Sequence, residues 1–323
     1  MSTTRTPNSL DFHACHALAD GPRLLVLGAV HGNEVCGTYA IRRVMQEIEG
    51  GQLSLARGAL TLVPITNALA FQRVQRNGER NLNRGLRVRE VPADFEDRIG
   101  NRLCPLIAAH DVLLDLHSFN ATGEPFAVVG PTDNDGPLEP FAHAAAEGRL
   151  AAHLGPRRVV TGWMSAYERG VKRRRAAPAG YSPTLLDVDY GVGTTEFMRR
   201  SGGYAVTLEC GQHADPAAPA RAYRAIRQTL ALLGMADIEL EPPAADFEVL
   251  ALEDVTDRHD AQDAFTRPWS SFDAVEKDQV IGVRRDGSEV RAPAAGRVVF
   301  PNTNALPGNE WFYFARNSAR RLL

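Results

Sequence analysis

Between residues 23 and 235, short apolar runs alternate with stretches of helical periodicity. The runs RLLVLGAV, DVLLDLHS and GYAVTLEC are apolar almost throughout. Such runs are typical of strands in a parallel sheet that is buried on both faces. Helical spacing of apolar residues follows the first run and precedes the second. The pattern therefore predicts an α/β fold with a mixed, largely parallel central sheet and helices on both faces.

The pattern changes at about residue 239. The segment ELEPPAAD contains two prolines and is typical of a linker. The sequence beyond it is rich in strand and turn residues, which indicates a small β-rich unit. We therefore divide the chain into an N-terminal segment (1–21), a main domain (22–238) and a small C-terminal β-rich domain (245–323).

Composition argues against several classes of protein. The 323 residues carry a net charge of −3, and a nucleic-acid binder that relies on phosphate contacts would need a basic excess. No apolar stretch suits a signal peptide or a membrane span. The four cysteines form no CxxC pair, which suits a reducing compartment. We expect a cytoplasmic protein that binds neither nucleic acid nor a membrane.

The basic run Lys172–Arg175 lies in a region that contains several prolines and glycines. Runs of charge usually face solvent, and we interpret this one as a solvated loop. The sequence assigns no role to it, or to the surrounding segment 130–195.

The motif HGNE, which contains His31 and Glu34, stands where the first apolar run ends. Loops at the carboxyl ends of strands are where open α/β sheets build their sites. An imidazole and a carboxylate three positions apart can turn toward one zinc ion. On its own, an HxxE motif in a loop is weak evidence for a metal.

A second histidine, His117, stands near the end of the run DVLLDLHS. If the strands carrying His31 and His117 are neighbours, the two rings lie over the same edge of the sheet. With Glu34 they form a set of two histidines and one carboxylate with one position left open, as in a catalytic zinc site. Asp115 shares the sheet face of His117 and could support its ring.

Two further features suit hydrolysis at such a metal. Glu209 follows the apolar run AVTL, and a carboxylate at a strand end could take a proton from water and return it to a leaving amine. A solvated glutamate is the alternative. The stretch FQRVQRNGERNLNRG is rich in arginine, and guanidinium groups pair bidentately with carboxylates. A solvated polar loop is the alternative there.

Four motifs in this order, HGNE (31–34), NLNR (81–84), DLHS (115–118) and LECGQ (208–212), resemble the succinylglutamate desuccinylase/aspartoacylase family. That family has a zinc-carboxypeptidase-like fold. The resemblance covers residues 22–235 and continues into the tail, where AGRVVFPN is similar to the family. It implies that 22–238 is a zinc hydrolase catalytic domain and that 245–323 caps its active site.

The resemblance also implies roles for particular residues. One Zn²⁺ per chain would be bound by His31, Glu34 and His117, and Glu209 would be the general base. The remaining roles fall on four residues: Arg76 polarises the scissile carbonyl, and Asn83, Arg84 and Arg199 bind the substrate.

Three departures from the family pattern concern the substrate. The family's usual DLNR is NLNR here, so Asn81 replaces an acidic residue. The stretch between His117 and Glu209 is longer than in aspartate-type members. Some members supply a tyrosine from the C-terminal domain, but TNALPG (303–308) contains no aromatic residue.

The resulting hypothesis is a zinc-dependent amidohydrolase that removes an acyl group, of the acetyl or succinyl type, from a small N-acyl amino acid bearing carboxylates. One alternative is a zinc carboxypeptidase that cleaves short peptides. Another is a catalytically inactive binding protein of the same fold. The acyl group, the amino acid and the oligomeric state, including a possible homo-oligomer, stay open.

Overall fold

The computed structural model describes residues 6–244 and 246–323. Each apolar run singled out above forms a strand. The strands are β1 (His13–His16), β2 (Arg23–Gly28), β3 (Ala59–Val63), β4 (Val112–Phe119), β5 (Phe126–Val128), β6 (Arg158–Thr161), β7 (Tyr204–Gln212), β8 (Glu248–Asp257), β9 (Ala264–Phe265), β10 (Ala274–Val275), β11 (Val280–Val283), β12 (Glu289–Arg291), β13 (Gly296–Val299) and β14 (Glu310–Asn317).

The helices lie between these strands up to residue 232. They are α1 (Cys36–Glu49), α2 (Ala68–Arg73), α3 (Phe95–Ala108), α4 (Ala144–His153), α5 (Trp163–Ala176), α6 (Thr194–Arg200) and α7 (Ala218–Leu232), and two short 3₁₀ turns span Pro183–Leu186 and Val188–Gly191. None of the helices in the described part of the chain is long and apolar enough to cross a membrane.

The central sheet is mixed, as predicted. Among the described residues its order is β1-β3-β2-β4-β7-β5-β6-β8-β14-β13-β10. The four strands β3, β2, β4 and β7 are parallel, whereas β1 and β5 run antiparallel to their neighbours β3 and β7. The α/β fold with a largely parallel core is therefore confirmed.

Both faces of the parallel strands are buried, which explains the unbroken apolar runs. Leu24 and Val26 of β2 belong to a core under α1, α4 and α7, whereas Leu25 and Leu27 pack in a second core with α3 and α6. Successive strand residues point to opposite faces, so a strand covered on both sides needs an apolar residue at every position.

The chain beyond residue 245 is built of strands, as predicted, but these strands are not confined to a separate sheet. Strand β8 lies parallel to β6 and extends the central sheet, with β14, β13 and β10 following it. Strands β12, β11 and β9 form a small antiparallel sheet. The division into domains stays a prediction. Its boundary at residue 245 and the first five residues lie outside the described residues.

Lys172–Arg175 is not a loop, and although Lys172, Arg173 and Arg175 are exposed as expected, Arg174 is not. These residues form the last turns of α5, and Arg174 is 1% exposed. Its guanidinium makes two hydrogen bonds to Asp257 of β8, at 2.8 and 2.6 Å. The buried carboxylate of Asp257 compensates the charge of Arg174. A local charge pattern cannot reveal this partner, because it lies 83 positions away in the sequence.

Candidate metal centre and active site

The loop that carries His31 leaves β2 through a strained turn. Ala29 is fully buried and adopts a positive φ of 47°, a conformation that is uncommon for residues other than glycine. Gly32 follows His31 and lies against α2, where a Cβ atom would be 1.9 Å from the carbonyl carbon of Ala70. Only glycine permits this approach, so local backbone geometry fixes where His31 points.

His117 and Glu209 lie side by side on neighbouring parallel strands. They are register partners of β4 and β7, and β4 also pairs with β2. Strand β2, which precedes His31, is therefore the neighbour of β4, which carries His117. The metal site predicted from the sequence depends on this pairing. This arrangement brings His31, His117 and Glu209 to the same edge of the sheet.

Glu34 lies between the two histidines and contacts both. Its Oε1 is 3.0 Å from Nδ1 of His31, and its Oε2 is 2.8 Å from Nδ1 of His117. The three side chains are at most 3% exposed. The structure thus brings together the three predicted metal ligands in one buried cluster.

A polar oxygen lies close to the other ring nitrogen of each histidine, although Nε2 of His117 makes no hydrogen bond within the described residues. The amide oxygen of Asn81 lies 3.0 Å from Nε2 of His31, and Oδ2 of Asp115 lies 2.9 Å from Nε2 of His117. The same Asp115 oxygen accepts a hydrogen bond from the hydroxyl of Thr194. Acceptors in these positions orient metal-binding histidines, and here Nδ1 of each ring faces Glu34.

The electrostatics of the cluster keep Glu34 ionised. Burial alone would raise the pKa of Glu34, but His31, His117 and Arg76 outweigh burial and hold that pKa well below its ordinary value. Burial and the nearby charge of Arg76 lower the pKa of His31 to about 4. For His117, burial lowers the pKa, but Asp115 and Glu34 outweigh it and raise the pKa well above the ordinary value.

The cluster fits a zinc ion in ligand type and spacing. Its ligand atoms lie within 4.8 Å of one another. Zinc bonds of about 2.1 Å in a tetrahedral arrangement separate ligand atoms by about 3.4 Å, close to the 3.0 and 2.8 Å found between Glu34 and the two rings. Nδ1 of His31 is buried and makes no hydrogen bond to the rest of the described chain. A bound cation would satisfy that nitrogen.

Glu209 is buried beside this cluster with unused hydrogen-bonding capacity. It is 8% exposed, and its Oε2 has no hydrogen-bond partner among residues 6–244 and 246–323. Burial, followed by the negative charge of Glu34, raises the pKa of Glu209 to about 8. A carboxylate in such a setting is suited to exchanging protons near neutral pH.

The arginine-rich stretch serves two purposes. Nη1 of Arg76 donates to Oε1 of Glu34 at 2.6 Å, so Arg76 reaches the cluster. Arg80 instead forms ion pairs with Asp94 and Asp97, both at 2.6 Å, and supports the loop. The interpretation of the whole stretch as a solvated polar loop therefore fails at Arg76 and Arg80.

Glu96 of α3 orders this loop, and sequence reasoning missed it. The carboxylate is fully buried and accepts hydrogen bonds from the backbone N–H groups of Gly78, Glu79 and Arg80 and from the side chain of Asn67. An acidic residue in the first turn of a helix is usually explained by capping or the helix dipole, so its position gave no signal of this role.

Asn83 is linked to the cluster through Thr194 and Asp115, and Arg84 follows Asn83 in the chain. The side-chain oxygen of Asn83 accepts a hydrogen bond from the N–H of Thr194 at 2.9 Å, and the hydroxyl of Thr194 in turn binds Asp115. Within residues 6–244 and 246–323, the side-chain hydrogen bonds of Asn83 go only to its oxygen, so its amide nitrogen can donate to a ligand. The guanidinium of Arg84 lies over the ring of Trp163, 4.6 Å from the centroid. Nε of Arg84 is 3.7 Å from Oε1 of Glu310, on β14.

Arg199 does not join the cluster. Its guanidinium is buried and contacts Glu139, Glu147 and Glu196 at 2.7 to 3.0 Å. It also donates to the carbonyl of Ala205, four residues before Glu209 on β7, which is about 13 Å along a strand. The substrate-binding role given to Arg199 stays a prediction, and the contacts around it are those of a buried ionic cluster.

Solved structures of similar fold include three that cover almost the whole chain. The product-bound ectoine utilization protein EutE (DoeB) from Ruegeria pomeroyi has a TM-score of 0.69 and 20% identity, covering 95% of this chain and 89% of its own. A succinylglutamate desuccinylase from Silicibacter sp. TM1040 has a TM-score of 0.67 and 19% identity, covering 95% and 88%. The succinylglutamate desuccinylase from Vibrio cholerae has a TM-score of 0.69 and 17% identity, covering 92% and 82%.

At these identities the solved structures establish the shared fold. No curated protein sequence matches the chain significantly. Family membership comes from a match over residues 20–235 to the model of the succinylglutamate desuccinylase/aspartoacylase catalytic domain. That match covers well over half of the chain, which therefore belongs to the succinylglutamate desuccinylase/aspartoacylase family, a family of deacylases.

Proposed function

We propose that this chain is a zinc-dependent amidohydrolase that removes an acyl group, of the acetyl or succinyl type, from an N-acyl amino acid bearing carboxylates. The observation that carries the proposal is the buried cluster of His31, Glu34 and His117 with Glu209 paired in register beside His117. Membership of a deacylase family supports the same reaction class. Cytoplasmic location and a small-molecule substrate remain part of this proposal.

His31, Glu34 and His117 would hold the zinc ion, with Nδ1 of each ring and the Glu34 carboxylate as ligands. When bound, zinc supplies Lewis-acid polarisation of the scissile carbonyl and lowers the pKa of water. The acceptors Asn81 and Asp115 keep the two rings in position. Three protein ligands leave a fourth position for the reaction.

Glu209 would move the protons of the reaction. Its free Oε2 takes a proton from the attacking water and later delivers a proton to the leaving amine nitrogen. The guanidinium of Arg76, half exposed beside Glu34, is placed to stabilise negative charge that develops on the carbonyl oxygen. Asn83 and Arg84 would bind the α-carboxylate of the amino-acid part, since a guanidinium is a strong partner for a carboxylate.

A panel of N-acetyl and N-succinyl amino acids, offered to the zinc-loaded protein, tests this proposal. We expect wild type to release one amino acid, and chelation of the metal to abolish release. Glu209→Gln should lower kcat by several orders of magnitude while the zinc content stays unchanged. The matched control is Glu289→Gln, a change at an exposed residue of strand β12, which should keep wild-type kinetics.

Three outcomes would contradict parts of the proposal. Wild-type turnover by the Glu209→Gln variant would exclude Glu209 as the base. Release of carboxyl-terminal residues from short peptides, with no action on the panel, would indicate a carboxypeptidase instead. No hydrolysis of any compound by protein with one zinc ion per chain would indicate a binding protein with an intact metal site.

A further inference from the structure

A second group of polar side chains surrounds Arg84, and the proposed reaction does not use it. It comprises Glu310 and Tyr313 of β14 and Tyr167 of α5, and we call it the Glu310 subsite. Glu310 and both tyrosines are electrostatic neighbours of Arg84. The ring of Trp163, which stacks below Arg84, lies 5.1 Å from the ring of Tyr313.

A β-bulge brings Glu310 and Tyr313 to the same side of β14. Residues three apart on a regular strand point to opposite faces. Here Glu310 pairs with Asp257 and Phe312 with Thr256, so Trp311 is an extra residue in the ladder. Bulges of this kind re-aim side chains next to functional sites. The carboxylate and the hydroxyl therefore face the same neighbour, Arg84.

Three oxygen atoms of the Glu310 subsite are buried without a hydrogen-bond partner in the described ranges. They are Oε1 of Glu310 and the hydroxyl oxygens of Tyr167 and Tyr313. Tyr167 is fully buried and Tyr313 is 3% exposed. Leaving a buried polar atom unpaired costs about 1–3 kcal/mol. These three acceptors lie near the guanidinium groups of Arg84 and Arg174, and a ligand that donates hydrogen bonds would satisfy them.

The charges of the Glu310 subsite indicate whether its ligand is a cation or an anion. The charges of Arg84 and Glu310, whose Nε and Oε1 are 3.7 Å apart, sum to zero, and so do those of the adjacent pair Arg174 and Asp257. If Arg84 and Asn83 bind an α-carboxylate, the negative charge of Glu310 is left uncompensated. A second carboxylate on the substrate would then face Glu310 and be disfavoured by like charge. An ammonium group donates three hydrogen bonds and accepts none, which matches the three unpaired oxygens.

We infer that the Glu310 subsite binds the side-chain ammonium of the substrate, so that the preferred substrate is an Nα-acyl amino acid with a second amino group rather than a second carboxylate. This inference rests on the deacylase reaction of the proposed function, and it confines the carboxylates of the substrate to the α-carboxylate and the acyl group. Glu310 acts as a specificity-determining residue that makes no contact with the scissile bond.

Comparison of kcat/KM for three matched substrates tests the inference. Nα-acetylornithine carries an ammonium, Nα-acetylnorvaline lacks it, and Nα-acetylglutamate carries a carboxylate instead. For the zinc-loaded full chain we expect kcat/KM to be at least about 10-fold higher for the ornithine derivative than for the other two, the size of one charge-assisted hydrogen bond. Glu310→Gln should reduce this preference by about 10-fold, and Glu289→Gln should leave it unchanged.

A binding measurement makes the test independent of turnover. Calorimetric titration of the zinc-loaded protein with ornithine, norvaline and glutamate compares their affinities directly. Ornithine should bind most tightly to wild type, and both Glu310→Gln and Tyr313→Phe should weaken its binding. The tyrosine variant removes only a hydroxyl and covers the case in which the Glu310 variant fails to fold.

The outcomes separate this inference from the proposed function. Hydrolysis of all three acetyl derivatives with equal kcat/KM, or with a preference that Glu310→Gln does not alter, would keep the deacylase and overturn the subsite. Binding of ornithine that depends on Glu310, without hydrolysis of any derivative, would support the subsite and contradict the deacylase. Equal binding of ornithine and norvaline by wild type, with no hydrolysis, would overturn both.

Discussion

The side-chain oxygen of Asn81 lies 3.0 Å from Nε2 of His31, while Nδ1 of the same ring faces Glu34 at 3.0 Å. The backbone N–H of Asn83 donates to the same Asn81 oxygen, which identifies that atom as the acceptor. His31 therefore donates its Nε2 proton to Asn81 and presents the lone pair of Nδ1 to the metal position. Asn81 stands where the related family usually has an acidic residue.

Replacing Asn81 tests its control of the metal site. Asn81→Ala should weaken zinc binding by about 10- to 100-fold, because the ring of His31 loses its supporting acceptor. Asn81→Asp should retain or strengthen binding, since a carboxylate makes the imidazole more basic. Competition with a chromophoric chelator measures both dissociation constants, and Asn304→Ala in an exposed loop is the control. Wild-type affinity of the Asn81→Ala variant would contradict the role of Asn81.

Replacing Glu96 tests how the arginine-rich loop is held. Glu96→Ala leaves the N–H groups of Gly78, Glu79 and Arg80 without their acceptor, and we expect the free energy of unfolding to fall by about 3 kcal/mol. Urea denaturation measures the change. Glu90→Ala, at an exposed position of the neighbouring segment, should shift stability by less than about 0.5 kcal/mol. Equal effects of the two changes would contradict the role of Glu96.

The ionic cluster at Arg199 should make stability depend on pH. Burial raises the pKa of Glu147 to about 7 from its ordinary value of 4.5, although Arg199 and the backbone N–H of Gly130 act to lower it. Between these two values the folded chain keeps a proton that the unfolded chain has released. This group therefore lowers the free energy of unfolding as pH rises from about 4.5 to 7, by on the order of 3 kcal/mol.

The variant Glu147→Gln removes this titration and keeps the shape of the side chain. Denaturant unfolding at pH 5 and pH 8 compares it with wild type. We expect the stability of wild type, relative to that of the variant, to be lower at pH 8 than at pH 5. A difference between the two proteins that is the same at both pH values would show that Glu147 has an ordinary pKa in the folded chain.

Much of the fold and the metal cluster follows from local sequence. The runs that contain His117 and Glu209 predict strands buried on both faces, and polar residues at the ends of such strands are candidates for a site. The pairing of β4 with β7 then places the two side chains side by side. Local pattern was sufficient for the metal cluster and Glu209 because each of these residues lies within a strand or a few positions after one.

Other features depend on contacts between distant segments, which a single sequence does not reveal. Arg174 becomes a buried helix residue only because Asp257 of β8 lies beside α5. Glu310 reaches Arg84 only because one extra residue in β14 turns its side chain. The strands after residue 245 extend the central sheet through pairing of β8 with β6, and nothing in their composition distinguishes that from a separate sheet.

The zinc content of the purified chain tests the central claim most directly. Elemental analysis after zinc loading and desalting would compare wild type with His117→Ala, which removes one of the three ligands at the buried cluster. We predict one zinc ion per wild-type chain and a large loss in the variant. Equal zinc content in the two proteins, or a wild-type chain that retains none, would contradict a metal centre at His31, Glu34 and His117.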